Sequence, residues 1–429
     1  MEPKLHLPME EIAYGPSAYL WDYLRRSKQR GYFLPLSGGA DSSSTAALVG
    51  IMCQRVVEMV QKGSPEDREQ ALSDVRNIIK DPTYTPSDPK DLAGRMFFCS
   101  YMASKFSGNE TRSRAKILAE QIGATHTSIY IDGITDAIQE SFKAMQVETR
   151  FGKSATKDFE VKRNPVIEGG TGAENIALQN IQARSRMVMS YYLAQLMPWA
   201  TDKTGSQWPG TLLVLGSANV DEALRGYYTK YDCSAADINP IGGIRKTDLK
   251  SFLLWAGEHK GYSILKTTAE AQPSAELTGS EGAQLDEEDM GMSYAELGDL
   301  GYVRKVEKCG PLRMFLRLKD TWAKTGQQLT PSKRKAPDDQ PQTFTRRVAQ
   351  KVKDFYFYYA TQRHKMTTLT PSYHAENYGP EDNRFDLRPF LYPVNFEWQF
   401  KQIDDAADAL EEAQASEAQA SSSSSDPRM

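Results

Sequence analysis

The sequence predicts an α/β fold, a doubly wound parallel sheet with a helical C-terminal extension. Three observations carry that reading. Four short apolar runs, at 31–37, 96–102, 125–132 and 211–217, have the length of buried strands rather than of helices. Stretches with helical spacing separate them, and strand–helix–strand alternation requires parallel pairing with helices on both faces. The first run leads straight into a glycine turn, and sheets of this kind bind ligands beyond the carboxyl ends of their strands.

Taken in order, GYFLPLS (31–37) is the first strand, and Leu48, Met52, Val56 and Met59 recur behind it at helical spacing. MFFCSYM (96–102) is the second strand, and ETRSRAKILAEQIG (110–123) a helix stopped by Gly123. THTSIYID (125–132) is the third strand. NIALQNIQARSRMVMSYYLAQLM (175–197) is a long helix expected to halt before Pro198, and TLLVLGS (211–217) is the fourth strand. The expected organisation is a main domain over 1–325, an exposed loop over 326–344, the remainder of that domain over 345–400, and a disordered tail over 401–429. The loop is rich in Pro, Gln and charge, and the tail is acidic and then Ser-rich, too polar to pack. The aromatic run FYFYYA (355–360) reads as core or as a subunit interface.

Hydrophobic residues at 40% and charged residues at 25% allow a sizeable core in 429 residues. No run of about 18 apolar residues exists, so no membrane-spanning helix is expected, and the first residues lack a signal-peptide pattern. Cys53, Cys99, Cys233 and Cys309 are scattered singly. That argues against a disulfide scaffold or a Cys-rich zinc site and fits a reducing, cytoplasmic setting. Net charge is −4, and residues 401–429 alone contribute −5 from seven acids and two bases. The rest is near neutral, so nothing in the charge calls for nucleic acid.

The sharpest local feature is SGGADSS, Ser37–Ser43, between the first strand and a helix. Gly38 and Gly39 let the backbone turn tightly and approach an anion with no Cβ in the way. The helix N-terminus offers unpaired N–H groups and a positive dipole end, and Ser37, Ser42 and Ser43 add hydroxyls. Asp41 has the wrong sign for phosphate, which points to an intervening Mg²⁺ held by oxygen ligands. The bland alternative is a Ser/Asp-capped turn. The Gly-x₄-Gly-Lys-Ser/Thr loop of the common NTPases is absent.

SGGxDS resembles the pyrophosphate loop of the N-type ATP pyrophosphatases, which implies an adenine-nucleotide alpha-hydrolase-like, Rossmann-like fold. Three further blocks choose within that superfamily. ENIALQNIQARSRMVMSYYLAQL (174–196) resembles the NAD synthetase helix that lines the dinucleotide site, and VLGSANVDEALRGYYTKYDCSAADINPIGGIRKTDL (214–249) resembles a second signature of those enzymes. RHKMTTLTPSYHAENYGPEDNRFDLRPFLY (363–392) resembles the C-terminal segment of the eukaryotic glutamine-dependent members. The implied reaction transfers AMP from ATP to the nicotinate carboxylate of deamido-NAD. Ammonia then displaces AMP, leaving NAD, AMP and pyrophosphate.

The resemblance implies roles position by position. Pro35, Leu36, Ser37, Gly38, Gly39, Ala40, Asp41 and Ser42 form the ATP loop. Asp41 and Glu222 are the Mg²⁺ carboxylates. Ser217 lies where relatives bind ATP, Lys246 is the phosphate cation, and Ser274 takes the place of a phosphate-contacting Thr. Arg184, Lys230 and Asp237 match deamido-NAD positions, as do His364 and Lys365. Ser37, Asp41 and Lys246 are the residues implied to act on the reacting phosphates. Taken singly, Glu222 also reads as a helix-start acid, Lys230 and Lys246 as surface lysines, Arg184 as a partner for an acid one turn away, and Asp237 as a turn former. The loop alone leaves open another AMP-forming ligase, GMP synthetase-like or tRNA-modifying, or a non-catalytic nucleotide-binding subunit.

Eukaryotic members carry an N-terminal nitrilase-like glutaminase whose residues are not recognisable here. Nitrogen is therefore expected as free ammonia, or from glutamine through a glutaminase domain or subunit. The family resemblance also implies a homo-oligomer.

Overall fold

A computed structural model describes residues 5–145, 147–149, 152–154, 169–202, 209–272, 277, 285–334, 343–366, 370–375, 378–379 and 396–423. The chain divides into two compact units. The first comprises Met1–Val220, Tyr228–Asp286 and Thr368–Gly379, and the second Asp221–Tyr227, Glu287–Thr367 and Pro380–Met429. The boundaries expected at 325 and 345 lie inside the second unit.

In the first unit, β1 (Tyr32–Pro35), β2 (Phe97–Ala103), β3 (Thr125–Tyr130) and β6 (Leu213–Val214) form one parallel sheet in the order β3-β2-β1-β6, with a separate small hairpin of β4 (Val147–Thr149) and β5 (Gly152–Ser154). Tyr32 to Pro35 pair in register with Phe97 to Ser100, and Tyr32 and Phe33 pair on the other side with Leu213 and Val214. All of β1 and β2 is buried, whereas β3 is partly exposed, as an edge strand should be.

The helices of this unit are α1 (Pro8–Ser27), α2 (Ala40–Lys62), α3 (Pro65–Ile79), α4 (Pro89–Met96), α5 (Asn109–Ile122), α6 (Asp132–Lys143), α7 (Gly172–Thr201), α9 (Lys246–His259) and α10 (Ile264–Glu270); α8 (Val220–Arg225) straddles the division. Strand alternation sorts the core into two layers. Tyr32, Leu34 and Cys99 face the cluster that holds Leu48, Met52 and Val56 of α2 with Leu249 and Phe252 of α9. Phe33, Phe98 and Val214 face Met187 and Ala194 of α7. The doubly wound parallel sheet expected from the strand pattern is therefore present, with helices on both faces.

Two expected boundaries move. Gly123 ends α5 at φ +86, as read from the sequence, but α7 does not stop before Pro198: it continues to Thr201 with Pro198 buried inside it. Pro198 removes the N–H that would bond to the Ala194 carbonyl, and the Leu212 N–H donates to that carbonyl instead (3.0 Å).

The second unit is helical, built from α11 (Asp286–Met290), which begins at the division, and α12 (Tyr294–Lys305), α13 (Pro311–Thr325), α14 (Phe344–Thr361) and α15 (Glu397–Ser423). The stretch expected as a disordered tail from 401 is thus helical as far as Ser423. Ile403 and Ala407 are fully buried, while Lys353 pairs with Asp404 and Arg346 with Asp408 and Glu411. Acidic residues that look like tail composition are the partners of a basic face on α14. The aromatic run is core: Phe355, Tyr356 and Tyr359 are buried, and Arg225, Arg334 and Arg363 stack on Tyr358, Phe357 and Tyr359 at 3.2, 4.0 and 4.2 Å. Part of the loop expected to be exposed is pinned as well. The Thr330 N–H donates to Glu296 (3.0 Å) and Arg334 lies 3.8 Å from the buried Asp354. Residues 335–342 lie outside the described residues. No described helix is long and apolar enough to cross a membrane.

Candidate functional site

Past the end of β1, the Leu36 N–H donates to the Ser100 carbonyl (2.9 Å), which carries the parallel ladder up to the lip of the glycine turn. Gly38 then takes φ +77, and a Cβ there would lie 2.1 Å from the Thr111 carbonyl oxygen. Only glycine fits both demands. Arg114 Nε donates to the Gly38 carbonyl (3.1 Å), tying the turn to α5. Gly39 stands at the N-cap of α2 and has no side chain to occupy the first-turn N–H groups. The Ser37 and Ser42 hydroxyls lie 2.8 Å apart, and the Ser37 N–H donates to Ser42 Oγ (3.2 Å). Ser42 is buried and staples the turn, while Ser37 is exposed. The arrangement is an open helix N-terminus beneath a tight glycine turn, which suits a phosphate.

Asp41 lies in the first turn of α2, where a carboxylate is favoured by the helix dipole. Lys246 opens α9, where the dipole opposes a cation, and it is only 3% exposed. Two unfavourable placements of one lysine, burial and a helix N-terminus, violate local preference. The structure resolves the conflict by pairing Lys246 Nζ with Asp41 Oδ2. Asn219 Nδ2 donates to Asp41 Oδ1 at 3.1 Å. Lys246 is thus no surface lysine.

Ser217 is half-buried just beyond β6. Asp237 holds that strand: it accepts the Val214 N–H (2.8 Å) and the Tyr191 hydroxyl (3.1 Å), and burial followed by the Asp237 charge raises the Tyr191 pKa. Arg184 is exposed on α7 and its Nε donates to the Lys230 carbonyl (2.9 Å) rather than to an acid one turn away. The Lys230 ammonium lies 5.1 Å from the Tyr231 ring. Asp237 thus ties β6 to α7, and Arg184 ties α7 to the backbone at Lys230. Ser274 lies outside the described residues.

Glu222, His364 and Lys365 belong to the second unit. Glu222 accepts the Tyr294 hydroxyl at 2.7 Å, Lys365 Nζ donates to the Gly226 carbonyl (2.8 Å), and His364 is exposed. Arg225 is buried between the Met290 carbonyl (3.1 Å) and Tyr358, and burial pulls its pKa down to about 10.

Asn219, Arg114 and Tyr294 were missed by sequence reasoning. Asn219 had a signal, a polar residue two positions past Ser217 at a strand end; the other two had none, because their partners are remote in the chain. Asp41 is itself an oxygen ligand of the kind a hard cation such as Mg²⁺ takes together with nucleotide oxygens, and in this structure its two oxygens face the Asn219 amide and the Lys246 ammonium. Among the described residues no cluster of three or more His, Cys, Asp or Glu forms a protein-only metal cage.

The family model for NAD synthase matches residues 15–309. The glutamine-dependent NAD(+) synthetase of Arabidopsis thaliana is 49% identical over 408 residues, 94% of this chain and 51% of that protein. That of Saccharomyces cerevisiae is 48% identical over 413 residues, 96% and 53% of the two chains. The chain spans about half the length of the curated relatives it matches. Among solved structures, a glutamine-dependent NAD(+) synthetase from Cytophaga hutchinsonii aligns with TM-score 0.63 at 22% identity, over 93% of this chain and 56% of that one. An NMN synthetase from Francisella tularensis aligns at TM-score 0.50 and 20% identity, over 86% and 99% of the two chains. These structural likenesses speak to fold alone. The family match runs through the glycine turn, Asn219, Glu222 and Lys246 together, and on that span the chain belongs to the NAD synthase family.

Proposed function

We propose that the chain catalyses the ATP-dependent amidation of deamido-NAD to NAD, with AMP and pyrophosphate as the other products. The observation that carries this reading is the Asp41–Lys246 pair beside an open glycine-turn helix N-terminus, in a chain about half identical to relatives named for that activity. A carboxylate is a poor acyl electrophile, so it must first become an anhydride. The α2 N–H groups and Ser37 receive the departing pyrophosphate, Lys246 neutralises the phosphates as charge builds, and Asp41 would hold Mg²⁺. Bound there, Mg²⁺ supplies charge neutralisation of the triphosphate and of its leaving group. Arg184, Lys230 and Asp237 serve the dinucleotide, and Ser217 and Ser274 the ATP. The fold is shared with an NMN synthetase, so the choice of deamido-NAD rests on sequence identity rather than on architecture.

Nitrogen arrives as ammonia in this reading, free or released from glutamine elsewhere. Burial pushes the Cys53 and Cys233 thiols up to about 12 and raises those of Cys99 and Cys309, which favours the protonated thiol at all four. All four cysteines are free, which supports a cytoplasmic setting. With deamido-NAD, Mg-ATP and ammonium, equimolar AMP, pyrophosphate and NAD are expected, and ADP with orthophosphate would refute the assignment. Pyrophosphate release triggered instead by XMP or a tRNA would favour the other ligases of the superfamily.

A homo-oligomer is proposed through α6 and α7. Ile176, Val188, Tyr192 and Trp199 of α7 are 57–67% exposed, and Ile138 and Phe142 of α6 more than 40%. Combining Val188→Glu with Trp199→Glu is expected to reduce the mass in light scattering to that of the monomer. An unchanged mass removes this face from the assembly.

A further inference from the structure

We propose that Asp41 exchanges cations during turnover. In the nucleotide-free protein its Oδ2 is held by Lys246, on nucleotide binding it passes that oxygen to the divalent ion, and Asn219 holds Oδ1 throughout as a positioning residue. The proposal deepens the functional reading above and rests on it.

Both Asp41 oxygens are engaged, Oδ1 by Asn219 Nδ2 at 3.1 Å and Oδ2 by Lys246 Nζ. A carboxylate so placed can take a cation at Oδ2 only by releasing the lysine, because two positive charges within about 4 Å of one another repel strongly in a partly buried site. Asn219 is the partner built to stay. It is fully buried, the carbonyl before it accepts Asn239 Nδ2 (2.8 Å at Ala218), and the Val220 N–H after it donates to the Ile244 carbonyl (3.2 Å). Its neutral amide also has no quarrel with a metal on the other oxygen. Lys246, on a four-carbon stem with rotatable donors, is the partner built to move.

Burial decides when it moves. At 3% exposure the ammonium cannot leave Asp41 for water without a desolvation cost, and an incoming anion lowers that cost. A triphosphate seated on the α2 N-terminus supplies one. Release of Lys246 is thereby coupled to nucleotide binding, and the coupling is reciprocal: nucleotide raises metal affinity, and metal raises nucleotide affinity. Meanwhile Asn219 prevents rotation of the carboxylate, so Oδ2 faces the same point before and after the exchange.

The test uses the full chain and Mn²⁺, followed by the electron paramagnetic resonance signal of the free ion. Without nucleotide, Lys246→Met is expected to bind Mn²⁺ at least tenfold more tightly than the parent, because the competing ammonium is gone. Lys246→Gln is the second variant, carrying the same expectation should the methionine protein fail to fold. With α,β-methylene-ATP present, Asn219→Ser is expected to weaken Mn²⁺ binding at least tenfold and to raise the KM for Mg²⁺ more than it lowers kcat, with unfolding near the parental temperature. If removing the Lys246 charge leaves nucleotide-free Mn²⁺ affinity within twofold of the parent, while Asp41→Asn still abolishes binding in the nucleotide complex, the exchange is wrong and the metal assignment stands. If Asp41→Asn leaves Mn²⁺ binding in the nucleotide complex unchanged, the metal assignment itself is wrong and the exchange falls with it.

Discussion

Asp41→Asn is expected to lower pyrophosphate release by about 10³-fold, equivalent to about 4 kcal/mol of transition-state stabilisation. The substitution preserves shape and retains an oxygen for the Asn219 amide, but it removes the charge that faces Lys246 and that would face Mg²⁺. The new amide N–H₂ group would point one donor at another. A loss of about 1–3 kcal/mol of stability is therefore expected as well, with the α/β circular dichroism spectrum retained. The measurement is turnover at saturating Mg-ATP set beside urea unfolding. Turnover within threefold of the parent in a folded variant would leave Asp41 as no more than a helix-start acid.

Gly38→Ala should be nearly as damaging, by a different route. The residue holds φ +77, which costs an alanine about 1–2 kcal/mol, and its new Cβ would lie 2.1 Å from the backbone oxygen of Thr111. That oxygen is backbone and no flexible side-chain end, so the turn itself must shift. The expected loss is about 3 kcal/mol in unfolding together with a rise of about 10²-fold in the KM for ATP. Gly39→Ala separates the two contributions. Its Cβ would meet Ser37 Oγ at 3.5 Å, an ordinary contact, and stability should fall by about 1 kcal/mol at most. If the backbone at Gly39 must approach the pyrophosphate, ATP affinity still falls about tenfold or more. Parental affinity for ATP in both alanine variants would show that the turn serves folding alone.

The strands and the glycine turn were legible in the chain because their causes are local. Apolar runs of strand length, a glycine where a left-handed turn is required, and an acid at a helix start each act over a few residues. Periodicity also placed α2 and α5. It did not place α15, whose Glu/Ala/Ser composition resembles a tail until Ile403 and Ala407 are covered and Arg346 and Lys353 of α14 meet its acids. Nor did it extend α7 through Pro198, because proline opposes a helix locally and the Ala194 carbonyl it leaves without a donor finds one only in Leu212, remote in the chain.

The site divides along the same line. The glycine turn before an open helix N-terminus was legible from seven consecutive residues, as was Asp41 at the helix start, and the roles proposed for them rest on that local chemistry. Lys246, taken singly, read as a surface lysine, since nothing near it in the chain explains a cation at a helix start. Its partner is 205 positions away and Asn219 lies 178 positions from Asp41. Asp237 likewise read as a turn former, but its carboxylate holds the Val214 N–H at the end of β6 and the Tyr191 hydroxyl of α7. Local conformational preference is written into neighbouring residues and can be read there. Pairing between buried charges depends on which strand ends the parallel sheet sets side by side, and that juxtaposition exists only once the chain has folded.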